Sequence, residues 1–136
     1  QKFGDQLIIL SGGCPHGADA LAKKYALEFE CYYREFNPSH TNKNLYSAMN
    51  EGFYGKTYSP KNFFHRNKLL AKSSDYIIAF ITEGEKSAGS LHTIKEAHKL
   101  NKKIVMVSWI ILSNIYLYMS YRRISYEKCK TDFGQC

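Results

Sequence analysis

The stretch Ser11-Gly12-Gly13-Cys14-Pro15-His16-Gly17-Ala18-Asp19 carries the residue types that hold an anion. Its glycines permit close backbone approach and angles that other residues avoid. A turn of this kind that opens a helix aims unpaired N–H groups and the positive end of the helix dipole at whatever lies before it, and phosphate is a favourable occupant. A tight strand-to-helix connection without a ligand uses the same glycines, so the turn alone leaves both readings open. Ser11 lacks the G-x-S-x-G surroundings of a hydrolase nucleophile. Cys14 is either a thiol activated by the helix start or a small residue in a tight loop.

His16, His65 and His92 are further polar candidates, yet no pair has metal-ligand spacing on a clear helix face. The four cysteines, Cys14, Cys31, Cys129 and Cys136, include no C-x-x-C pair. No metal site and no resident cofactor is therefore expected. With 44% apolar residues the chain can bury a core without disulfide staples, and the cysteine usage reads as a reducing, cytoplasmic setting.

The elements that must position the turn follow from periodicity. Leu7 to Leu10 is an apolar run of strand length, and Ala18 to Glu30 places Leu21, Ala22, Tyr25, Ala26 and Phe29 at helical spacing. Cys31 to Phe36 reads as a second strand ended by Asn37-Pro38. Residues 37–62 are polar and tyrosine-rich, with a turn of helix expected around Leu45 to Met49; a loop of this length in a compact domain reads as a folded lid. Ser59-Pro60 has the form of an N-cap and first helical residue for a helix running to Lys72. Tyr76 to Ile81 is a buried strand, Gly89-Ser90 opens another helix that ends near Asn101, and Lys103 to Val107 is the next strand.

The order β-α-β-loop-α-β-loop-α-β predicts an α/β fold, a Rossmann-like three-layer α/β/α domain with a mainly parallel sheet. Such sheets bind ligands at the carboxyl ends of their strands, which would bring the turns at Ser11–Gly17 and Gly84–Ser90 to one edge. The net charge is +7, from 19 Lys+Arg against 12 Asp+Glu, which favours anionic partners, although the lysines are dispersed and form no basic block. Ile104 to Tyr121 approaches the length of a short membrane span, but Ser108, Ser113, Asn114 and Ser120 interrupt it, so no membrane partner is expected and no signal peptide is read at the N-terminus.

Three blocks, SGGCPHGADALAKKYA at 11–26, HRNKLLAKSSDYIIAF at 65–80 and SAGSLHTIKEA at 87–97, together resemble the SLOG superfamily. This Rossmann-like group includes the LOG/lysine-decarboxylase-like phosphoribohydrolases, the YspA-like proteins and DNA-processing protein A. The YspA-like branch is the most similar in its SGG-x-x-x-GAD turn, the Arg-Asn pair before a helix and the Gly-Ser after a buried strand. The resemblance implies a domain over residues 1–109, with 110–136 a tail outside it whose aromatic content reads as a packed helix, an edge strand or a contact in a homo-oligomer, a non-native extension being the remaining alternative. It also implies that the first strand and helix of the family are lacking, since only Gln1 to Gln6 precede the first block.

By the same resemblance the ligand is a nucleotide or nucleotide derivative. Ser11, Gly12, Gly13, Gly17, Ala18 and Asp19 would hold phosphate or ribose, and Arg66 and Asn67 would reach in from the middle helix. Gly89 and Ser90, with Gly84 in the loop before them, would meet a second phosphate. A guanidinium fork suits phosphate oxygens, which agrees. LOG enzymes that cleave an N-glycosidic bond pair such an arginine with a glutamate, and here Thr93 takes the glutamate's place, so enzymatic activity is left open. Glu83 and Glu85 are loop carboxylates near the same helix. Three functions follow as expectations: a nucleotide sensor or weak hydrolase, a single-stranded nucleic-acid binder resembling DNA-processing protein A, or a structural module with a vestigial pocket.

Overall fold

A computed structural model of the chain describes residues 7–82, 87–110 and 118–122. In chain order the elements are β1 (Ile8–Ser11), α1 (Gly17–Glu28), β2 (Tyr32–Glu35), a 3-10 turn (Glu51–Phe53), α2 (Lys61–Ser73), β3 (Tyr76–Thr82), α3 (Ala88–Lys99), β4 (Lys103–Ile110) and β5 (Tyr118–Arg122). The predicted strands and the three main helices are present, with ends displaced by at most three residues. The fold is α/β and Rossmann-like, built on parallel pairs β1–β2 and β3–β4. The chain divides into two compact units, Gln1–Leu70 and Ala71–Cys136.

In the first unit β1 and β2 run in register from Ile8 opposite Tyr32 to Ser11 opposite Glu35. Side chains alternate along a strand, so Ile9, Ser11, Tyr33 and Glu35 share one face. Tyr33, Phe36 and Tyr54 are buried, as is Ala26 of α1. Residues 45–49 do not form the expected turn of helix. Glu35 N–H donates to Tyr46 O at 2.7 Å and Ala48 N–H donates to Glu35 O at 2.8 Å, so this stretch makes a parallel bridge to β2 at Ser47. The edge of β2 offers backbone partners that a short, polar helical turn cannot match. The Ser59 cap does form, with Ser59 Oγ accepting the Lys61 N–H at 3.3 Å.

In the second unit α3 packs on a three-stranded sheet of order β3-β4-β5, β5 being antiparallel. The core consists of Ile77, Ala79, Ile81, Ile94, Ala97 and Met106, joined by Ala71. β5 is an edge strand within the segment read as a tail; residues 111–117 and 123–136 lie outside the described ones. Among the described residues no helix is long and apolar enough to cross a membrane.

Helices α1 and α3 end in the same way. Glu30 (φ 54°) and Asn101 (φ 53°) adopt the left-handed conformation. The following N–H groups reach back six residues inclusively, Cys31 to Ala26 O at 2.8 Å and Lys102 to Ala97 O at 3.0 Å. This is the Schellman closure, which glycine adopts most readily and asparagine next. Glutamate carries a steric cost there. Glu30→Gly is therefore expected to stabilise the chain by up to about 1 kcal/mol in denaturant unfolding, and Asn101→Gly by less. Equal effects, or a loss at Glu30, would contradict this account of the helix ends.

Candidate functional site

The glycine turn of the first unit is filled by the protein's own side chains. Asp19, in the first turn of α1, accepts the Gly12 N–H on Oδ1 and the Cys14 N–H on Oδ2, each at 3.1 Å. Gly13 N–H donates to Ser11 Oγ at 3.1 Å. The amides at 12–14 thus already have acceptors, and one of these is an anion. Gly17 (φ 68°) turns the chain into α1, whose N-cap, His16, supplies no side-chain cap. Ala18 is an exposed residue of the first helical turn.

Arg66 comes to the same turn from α2. Its Nη1 donates to Gly12 O and, at 3.3 Å, to Phe36 O, and its Nε donates to Asn67 Oδ1 at 2.8 Å. Nη2 has no hydrogen-bond partner among the described residues. Burial pulls the guanidinium below its ordinary value, while the neighbouring Asp19 charge opposes this. The guanidinium stays charged, as arginine does throughout proteins. Close packing accounts for both glycines. A Cβ on Gly12 would overlap Arg66 Nη1 and Asp19 Oδ2, and one on Gly13 (φ 69°) would overlap the Asn37 amide.

A second feature was not legible from motifs. Glu35 is 3% exposed, and its carboxylate takes hydrogen bonds from four side chains. Lys23 Nζ (3.0 Å) and Tyr33 Oη (3.1 Å) donate to Oε1, and Asn44 Nδ2 (2.7 Å) and Asn37 Nδ2 (3.3 Å) donate to Oε2. Burial pushes the Glu35 carboxyl up, but these donors outweigh it and hold the group below its ordinary range. Burial, reinforced by the Glu35 charge, raises the Tyr33 hydroxyl well above its usual value, so it remains protonated. No motif marks Glu35 in the sequence; the β1–β2 register that sets it opposite Ser11 is a property of the fold.

Ser11, Gly12, Gly13, Asp19, Arg66 and Asn67 are therefore drawn together by direct hydrogen bonds. Gly89 and Ser90 stand in the first turn of α3, in the second unit, and Gly84, Glu83 and Glu85 lie outside the described residues. Thr93 donates its hydroxyl to Gly89 O at 3.2 Å. His65 stacks on Phe53 with ring centroids 6.0 Å apart, and His92 Nε2 lies 4.0 Å from Glu96, which also takes Lys99 at 2.7 Å. Among the described residues no group of three or more His, Cys, Asp or Glu side chains could hold a metal ion.

The first unit also exposes aromatic surface, and the Phe63 ring centroid lies 6.0 Å from Arg66 Cζ. Tyr58 is 67% exposed, and Phe63 and Phe64 are partly so. His40 packs edge-on against Tyr58 (4.8 Å) and Phe63 (5.0 Å), which orders the loop against the start of α2. In chemical terms the site offers a guanidinium whose Nη2 has no hydrogen-bond partner among the described residues, with the Phe63 ring centroid 6.0 Å from its Cζ, groups able to meet an anion and an aromatic ring. Among the described residues of the first unit, the Glu35 carboxylate is already taken up by four side-chain donors.

Residues 3–115 match the family model described as DNA recombination-mediator protein A, well over half of the chain. No curated protein and no solved structure matches it.

Two outcomes follow from this geometry. Gly12→Ala is expected to lose about 1–3 kcal/mol of stability by overpacking against Arg66 and Asp19, measured by urea unfolding. A loss well under that range would mean that the turn has room to spare. Because the folded Glu35 carboxyl lies below its ordinary 4.5, its contribution is complete above that value and drains away as pH falls toward the folded value. The wild-type melting temperature should therefore drop more steeply in acid than that of Glu35→Gln; parallel curves would remove Glu35 from the account.

Proposed function

The chain belongs to the DNA recombination-mediator protein A family, and on that premise we propose that it binds phosphate-bearing units of a single-stranded nucleic acid. The observation that carries this reading is Arg66. Its guanidinium is fixed through Nε and Nη1, and Nη2 is left without a partner among the described residues. A fork held in place from behind loses little freedom when it captures a phosphate oxygen. The exposed rings of Tyr58, Phe63 and Phe64 suit stacking on bases, which is tolerant of sequence because every base has a π-face.

Occupation of the turn amides by Asp19 shifts the expected phosphate contact from the Gly12 and Cys14 N–H groups to Arg66. Gly17 and Ala18, at the uncapped start of α1, are the backbone donors that would assist.

A mononucleotide or nucleotide derivative at the same arginine is the second reading. It is favoured by the dispersed charge, which gives a net +7 without a basic block to track a long backbone. It also agrees with the YspA-like and LOG-like resemblances. Hydrolysis of the ligand forms no part of the proposal.

Calorimetric titration with AMP, ADP-ribose, NAD and an oligothymidylate of roughly 20 nucleotides separates the two. The expected result is tighter binding of the oligonucleotide, falling steeply with salt and weakened by Arg66→Ala at least about tenfold. Arg66→Lys, which keeps the charge without the fork, should show much of the same loss. Equal affinity for AMP would favour the second reading, and binding unaffected by either variant would overturn both.

A further inference from the structure

Two backbone carbonyls, Gly12 O and Phe36 O, hold the Arg66 Nη1 group. Both belong to segments tied to one carboxylate. On the Oε1 side of Glu35, Tyr33 Oη donates to the carboxylate at 3.1 Å, Ser11 Oγ and Tyr33 Oη are 2.7 Å apart, and Gly13 N–H donates to Ser11 Oγ at 3.1 Å. The direction of this chain is fixed by its ends. A backbone N–H can only donate and an ionised carboxylate can only accept, so the Ser11 hydroxyl hydrogen must point at Tyr33 and the Tyr33 hydrogen at Glu35. On the Oε2 side Asn37, the residue after Phe36, donates to the carboxylate at 3.3 Å, and its amide lies against Gly13.

We infer that Glu35 is the positioning residue for Arg66: its two oxygens fix, by separate routes, the two backbone segments that aim the guanidinium. The inference rests on the reading of Arg66 as the phosphate contact. A polar side chain on a buried strand face thereby governs a binding group that it does not touch. One consequence is that the Ser11 hydroxyl has no hydrogen left for a ligand, so Ser11 serves the site by holding Gly13 rather than by contacting phosphate. Lys23, which bonds Oε1 at 3.0 Å and lies 4.4 Å from the Tyr46 ring centroid, ties α1 into the same arrangement.

Tyr33→Phe tests the first route in the full chain, because it removes one hydroxyl and keeps the ring, and Glu35→Gln tests both routes together. Tyr33→Phe is expected to weaken oligothymidylate binding about fivefold or more, and this loss should shrink to under about twofold in an Arg66→Ala background. A merely structural contribution would give the same loss in both backgrounds, which would overturn the inference. Nitrogen-15 spectra supply a readout that needs no ligand. Tyr33→Phe should shift the Gly13 amide and the Arg66 Nε–H signals together, and an unmoved Arg66 signal would refute the positioning role even if Glu35→Gln fails to fold. Wild-type protein that binds none of the nucleotides while its Arg66 signal still responds to Tyr33→Phe would refute the proposed function and leave the positioning role intact.

Discussion

Glu35 is an ionised carboxylate placed where water does not reach it, and the first unit is built to make that tolerable. Burying an unpaired charge costs several kcal/mol, and each hydrogen bond to a charged group returns about 1.5–3 kcal/mol. Four donors from three parts of the chain meet the two oxygens: Lys23 from α1, Tyr33 from β2, and Asn37 and Asn44 from the following loop. Satisfying the charge requires all three parts to be in place at once. The cost of leaving any donor out is what ties the helix and the loop to the strand.

That requirement orders the segment after β2. Residues 37–48 carry no apolar period to drive them into a helix; Tyr46 and Ala48 bond through their backbones to Glu35 of β2, Ser39 and Thr41 accept from Lys56 and Gly55, and Asn44 supplies the shortest bond to the carboxylate. Asn44 Oδ1 also accepts the Tyr46 N–H at 2.9 Å, which curls the loop locally and sets the bridge at Ser47. The loop is an extension of the sheet as much as a cover over it.

The glycine turn changes meaning in this setting. Gly12 and Gly13 are small because Arg66, Asp19 and Asn37 crowd them, which explains their identity without invoking a ligand at the turn amides. Asp19 does internally what a bound phosphate does in other turns of this shape, and Arg66 balances the local charge. In the proposed reading, the group left to meet an external phosphate is Arg66 Nη2, which has no hydrogen-bond partner among the described residues.

Much of this protein was settled by its sequence. The apolar runs at Leu7–Leu10 and Tyr76–Ile81, the helical spacing in Ala18–Glu30 and the Ser59-Pro60 cap specify their elements, because these signals act through neighbouring residues and need no distant partner. The family resemblance grouped Ser11, Gly12, Gly13, Gly17, Ala18, Asp19, Arg66 and Asn67 with Gly84, Gly89 and Ser90, and hydrogen bonds in the first unit join Gly12, Asp19, Arg66 and Asn67, and Ser11 with Gly13. What only the tertiary structure decided is how they divide the work. Whether Asp19 meets a ligand or its own turn, which Arg66 nitrogen is left over, and that Glu35 lies beneath them depend on β1–β2 register and on contacts between residues up to 54 positions apart. Hydrogen-bond capacity belongs to each residue type, but which partner uses it is fixed only when folding removes water as the alternative.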